Sequence, residues 1–169
     1  MKNSTRYYRL IVSLVFLALA LAACNLSRPS GPQIKVQNVW ARPSRISVTT
    51  GNNNAMGQGK NAAMGATSAV YMTLVNRGNQ SDRLVGVKSD IASHVELHQT
   101  IMKNNVMHMQ PVEGGLEIPA GGQVQLKPGS YHIMLINLKR ELKPGDRFSV
   151  VLEFEKSGRK TIQVDVKEP

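Results

Sequence analysis

Apolar and polar residues alternate in short runs along most of the chain, with a period of two. Ile34 to Trp40 is the first such run, carried by Ile34, Val36 and Val39 and closed by Pro43. Ser68 to Val75 (SAVYMTLV) stops at Asn76-Arg77-Gly78, and Arg83 to Val87 predicts a short strand. Val95 to Lys103 and Val106 to Val112 flank Asn104-Asn105; asparagine tolerates positive φ, so these two residues suit a tight hairpin turn. Gln123 to Leu126 leads into the turn Lys127-Pro128-Gly129, after which Tyr131 to Leu138 is strongly β-forming. Phe148 to Phe154 and Thr161 to Val166 are separated by Lys156-Ser157-Gly158-Arg159, a second hairpin signal. No segment carries a helical period over the length of an ordinary helix. Several short strands punctuated in this way predict an all-β sandwich.

Two stretches depart from that pattern. Lys2, Arg6 and Arg9 precede Leu10 to Ala20, an apolar run interrupted only by Ser13. It has the length of a signal-peptide core and is short for a membrane span. It ends in Leu21-Ala22-Ala23-Cys24, which resembles the bacterial lipobox, where the cysteine is lipidated and becomes the first residue of the mature protein. Residues 1–23 are thus expected to be a cleaved lipoprotein signal peptide, 24–33 a flexible tether from lipidated Cys24, and 34–169 a single domain. The second departure, Ser47 to Thr67, is rich in Gly and Asn and predicts a flexible insertion within that domain. Its Met56 and Met64 read as incidental.

The charge balance changes the picture only slightly. The chain of 169 residues carries 21 basic and 11 acidic side chains, a formal charge of +10. A basic surface suits nucleic acid, anionic lipid or an acidic protein. Export argues against nucleic acid and for the membrane face or an acidic partner. Cys24 is the only cysteine. Once lipidated it leaves no thiolate for catalysis, redox exchange or a metal.

The remaining chemistry lies in four histidines and eight methionines. His94, His98 and His108 share a short stretch with Met102, Met107 and Met109, and His132 and Met134 share a later strand. Residues two apart on a strand point to one face, so His132 lies with Met134, Met107 with Met109, and His98 with Glu96, Thr100 and Met102. If the hairpin lies near the Tyr131 strand, His98, Met109, His132 and Met134 converge. Thioethers are soft and neutral, and with imidazole they favour Cu(I) over hard cations and over zinc. His94 and His108 read as surface residues and Met72 as core, while Met102 and Met107 stay open.

The spacing resembles that of the periplasmic copper chaperones of the PCuAC type. Their pattern is His or Met, ten residues, Met, twenty-one residues, His, one residue, Met; here the first and last gaps agree and the middle one is a residue longer, at the turn-like Gly114-Gly115. VELHQTIMKNNVMHMQPVEGG, LEIPAGGQVQLKPGSYHIML, LKRELKPGDRFSVVLEFEKSG and VWARP also resemble that family. The resemblance implies a cupredoxin-like Greek-key β-sandwich that carries Cu(I) outside the cytoplasm on His98, Met109, His132 and Met134. It also implies delivery towards the copper A site of cytochrome c oxidase, beside a thiol-based co-chaperone. Copper storage or resistance using the same site is the alternative. A blue-copper electron carrier needs a cysteine thiolate that this chain lacks. An enzyme is not expected, since neither a nucleophile motif nor a carboxylate-rich cluster stands out. The expected location is the extracytoplasmic membrane face, in the periplasm or at the cell surface.

Overall fold

Alternating side chains need two apolar faces to close against each other, and eleven strands do so among the described residues. The computed structural model describes residues 30–46 and 65–168. The strands are β1 (Ile34–Ala41), β2 (Arg45–Ile46), β3 (Ala66–Asn76), β4 (Asp82–Lys88), β5 (Ala92–Lys103), β6 (Val106–Pro111), β7 (Leu116–Ile118), β8 (Gln123–Leu126), β9 (Tyr131–Leu138), β10 (Arg147–Phe154) and β11 (Gly158–Val166). No helix occurs among the described residues. The all-β expectation is met. The expected signal peptide, Cys24 and residues 25–29 of the expected tether, and Met56 and Met64, lie outside the described residues; at the end of that tether Gly31 and Gln33 donate their N–H groups to Asn79 and Asn76 of the domain.

The strand order is β6-β5-β9-β8-β3-β1-β11-β10-β4-β7, with β2 beside β3 and β9 also paired to β3. Strand β1 joins the two halves. Its start pairs with the end of β3, and at Trp40 and Ala41 it pairs with both β3 and β11. A register shift between Gln37 and Trp40, with Asn38 at φ 52°, turns the strand between these roles. Among the described connections only β5–β6 and β10–β11 join neighbours by tight hairpins; β3, β9 and β1 find distant partners, as a Greek-key arrangement requires.

The core lies between the halves. Val70, Met72, Leu74, Ile133 and Leu135 from one side meet Leu84, Val150, Leu152 and Val164 from the other. All nine are at most 2% exposed, and burying each large apolar side chain contributes roughly 1.5–3 kcal/mol. Two buried polar residues hold the connections. Asn76 accepts N–H bonds from Gln33 and Gly78 and donates to the carbonyls of Gln80 and Ile118. Asp82 accepts from the N–H groups of Arg83, Lys156 and Ser157 and from the Ser157 hydroxyl. Gly78 is fixed by space, because a Cβ there would lie 2.0 Å from the Gly31 carbonyl oxygen.

Several boundaries differ from the sequence reading. β3 begins at Ala66, inside the expected insertion, because Ala66 and Thr67 pair with β2 and Thr67 also pairs with Ile136. β5 begins at Ala92, where it already pairs with Leu138. β11 starts at Gly158, opposite Phe154, so the second hairpin turn is shorter than the four residues expected. β2 and β7 were not anticipated; each is too short to show a period and is held by pairing to β3 or β4.

Candidate metal centre

The β5–β6 hairpin and β9 build the site together. Asn104 and Asn105 have φ of 51° and 59°, the type I′ geometry whose twist suits a two-residue hairpin. That turn sets Lys103 opposite Val106 and fixes the register behind it: Met102 opposite Met107, Thr100 opposite Met109, His98 opposite Pro111. On its other side β5 pairs with β9, with His98 opposite His132 and Glu96 opposite Met134. Val95, Leu97, Ile133 and Leu135 point into the core, so Glu96, His98, His132 and Met134 share the outer face. Met109 joins that face diagonally from His98. The structure thus brings His98, His132, Met134 and Met109 onto one surface of three adjacent strands.

The two imidazoles stand edge to face, ring centroids 6.0 Å apart. His132 is buried, beside Tyr71 at 6.5 Å, and Tyr71 packs on Trp40 at 4.6 Å. Its Nδ1 donates to the Ser130 carbonyl at 3.0 Å. A carbonyl only accepts, so the proton sits on Nδ1 and the Nε2 lone pair is left for a ligand. Burial holds the His132 pKa below the usual imidazole value; the Ser130 bond opposes this, and the charges of His98 and Arg42 add to it. The neutral ring, the form a metal needs, is favoured.

His98 has a different partner. Its Nε2 lies 2.8 Å from Glu96 Oε2, and its side chain is 13% exposed. An ionised carboxylate accepts, which places a proton on His98 Nε2 and leaves Nδ1 as the free nitrogen of the neutral ring. This partner went unrecognised in the sequence, although residues 96 and 98 share a strand face. Met134 is half-buried, whereas Met109 is 61% exposed on the edge strand β6. His94 and His108 do not join the group: β5 carries His94 two residues beyond Glu96, opposite Ile136, and His108 points away from Met107 and Met109. Met72 is core. Among the described residues no three His, Cys, Asp or Glu side chains gather to hold a metal. The donors here are two imidazoles and two thioethers, a set that suits a soft, singly charged ion.

Comparison with known proteins agrees with this architecture. The model of the LpqE-like family, described as "Putative lipoprotein LpqE-like", matches residues 34–166. The "Putative lipoprotein Lxx21020" of Leifsonia xyli subsp. xyli is 31% identical over 99% of this chain and 94% of its own length. Among solved structures, the copper-bound PCuAC domain from PmoF2 is 24% identical, with a TM-score of 0.55 over 82% of this chain and 99% of that domain. The Cu(I) form of DR1885 from Deinococcus radiodurans is 28% identical, with a TM-score of 0.51 over 86% of this chain and 85% of that one. The resemblance to the PCuAC type read from the sequence is borne out, and the chain belongs to the LpqE-like family with the fold of the PCuAC domains.

Proposed function

We propose that the protein is a Cu(I) carrier whose cargo binds His98, Met109, His132 and Met134. The observation that carries this reading is the register that sets His98 directly opposite His132 on the outer face, with Met134 and Met109 beside them. All four donors are neutral when binding, so the bound site keeps the single charge of the ion. The copper-bound domain from PmoF2 and the Cu(I) form of DR1885 support copper as the metal. The position of Met109 on an exposed edge strand supports carriage, since an acceptor's ligands must reach the ion before those of the carrier leave.

We assign the chain to the extracytoplasmic membrane face, anchored through lipidated Cys24. The lipobox-like Leu21 to Cys24 and the lipoprotein description of its family support this. Anchoring raises the local concentration near a membrane-bound acceptor. The acceptor is the copper A site of cytochrome c oxidase, with a thiol-based co-chaperone beside it. Copper moves by ligand exchange, without catalysis.

The test is an anaerobic titration of the full chain in detergent against a chromophoric Cu(I) chelator. The variant substituted by alanine at His98, Met109, His132 and Met134 serves as control. Tight uptake of one equivalent that disappears in the variant is expected; a folded wild type that takes up no copper would sink the reading. Incubating the loaded protein with a purified copper A domain then separates carriage from storage, since a store would retain its metal.

A further inference from the structure

Five large apolar side chains stand exposed among the described residues, and three are methionines of one hairpin: Met102 at 63%, Met107 at 65% and Met109 at 61%. Scattered exposed apolar residues are ordinary, but these three lie together. Lys103 and Val106 flank a two-residue turn and form a hydrogen-bonded pair, so the next pair, Met102 and Met107, is of the non-hydrogen-bonded kind. The N–H of Thr100 bonds to the Ser130 carbonyl, away from β6, which agrees with that alternation. Side chains of such pairs stand closest, with Cβ atoms about 4.5–5.5 Å apart. Met109 follows Met107 on the same face, diagonal to Met102 and, in the other direction, to His98. The thioethers therefore form a row from the hairpin tip to the histidine pair, and Thr100 is the only other side chain between Met102 and His98 on that face of β5.

We propose that Met102, Met107 and Met109 form a second, all-thioether Cu(I) site at the hairpin end, through which copper enters and leaves the His98–His132 centre. This rests on the reading above and adds a second place for the same cargo. A thioether site without imidazole is the weaker and more exposed of the two, as a transfer point must be. Met109 serves both in turn; when two ions are bound it stays with the inner one, and Met102 and Met107 hold the outer one. As copper moves inward, bonds to Met102 and Met107 are replaced by lone pairs from imidazole nitrogen and Met134 while Met109 holds on. The ion stays Cu(I) and carries its single charge with it. No proton moves at the thioethers, because they are not protonated in either state. Leucine would cover this surface equally well; what methionine adds is a soft donor.

The experiment is an anaerobic Cu(I) titration of the full chain in detergent, labelled with 13C at the methionine methyl groups. The first equivalent is expected to shift Met109 and Met134 and the second to shift Met102 and Met107, with Met72 unmoved throughout. The variant Met102→Leu with Met107→Leu changes exposed side chains only, so folding is retained. It should keep the tight equivalent, lose the weaker one, and release Cu(I) to a chelator about tenfold more slowly, equivalent to about 1.4 kcal/mol in the barrier. Shifts of Met102 and Met107 with the first equivalent, together with loss of tight binding in the variant, would overturn the proposal by making them primary ligands. A second equivalent that leaves both methyls still, or wild-type release from the variant, would also overturn it. Met109 and Met134 unmoved by any copper would instead refute the primary site itself.

Discussion

His98 and His132 face each other but are held by different nitrogens. His132 donates its Nδ1–H to the Ser130 carbonyl, and His98 donates its Nε2–H to the Glu96 carboxylate. Second partners of this kind orient a ring and select its tautomer, so Glu96 and the Ser130 carbonyl would prepare the pair for the proposed ion. The methionines divide just as sharply. Met72 is 2% exposed in the core, so Met72→Ala should cost about 2–5 kcal/mol in denaturant unfolding. Copper affinity per folded molecule should be unchanged. Met109→Ala removes an exposed side chain and should alter stability by less than about 0.5 kcal/mol. In the chelator competition it should weaken copper binding by at least about tenfold. Equal losses of affinity from both substitutions would remove Met109 from the site. Composition could not separate these methionines, because a thioether fills a core and binds a soft metal equally well. Strand facing and exposure do.

At the scale of elements, the β5–β6 hairpin decides whether the proposed ligands meet. Both turn residues are left-handed, a conformation that costs a β-branched side chain about 1–2 kcal/mol. Asn105→Val should therefore loosen the hairpin, seen as faster amide exchange in β5 and β6, and weaken copper binding through displacement of Met109. Asn105→Gly should do neither. The connection built on Asp82 sets an acid limit on the fold. Burial raises the pKa of this carboxyl, but bonds from the Ser157 hydroxyl and from the N–H groups of Lys156, Arg83 and Ser157 outweigh it and hold the pKa below its usual value. A depressed carboxyl stabilises the fold above its unfolded value of about 3.9, and that contribution is lost as pH falls through the lower folded value. Wild-type stability should drop through this window on acid titration, and Asp82→Asn should flatten the drop. Asparagine would also turn an NH2 group towards N–H donors, at a cost of about 1–3 kcal/mol at neutral pH, measurable by urea unfolding.

For the whole molecule, the proposed anchor makes a prediction of its own: Cys24→Ser should move the protein from the membrane to the soluble fraction on cell fractionation, with copper affinity unchanged. Retention of the variant on the membrane would refute lipid anchoring through this residue. Most of the strands were legible in the chain, because a half-buried strand imposes a period of two on its side chains. So was the facing of each proposed ligand, since residues 96 and 98, 107 and 109, and 132 and 134 share faces by parity alone. The donor types, too soft for a hard cation, were equally plain. Parity stops at the edge of a strand. That β9 lies between β5 and β3, and that His98 stands opposite His132 rather than slipped by two residues, were settled by contacts between distant segments. The three-residue β7 and the early start of β3 were hidden for the same reason, being held by partners far along the chain. The sequence by itself determined which side chains could hold a soft metal and which way each one points. Only the tertiary structure decided that they are neighbours, because strand order and register follow from burying both apolar faces in one core, and no local run of residues encodes that fit.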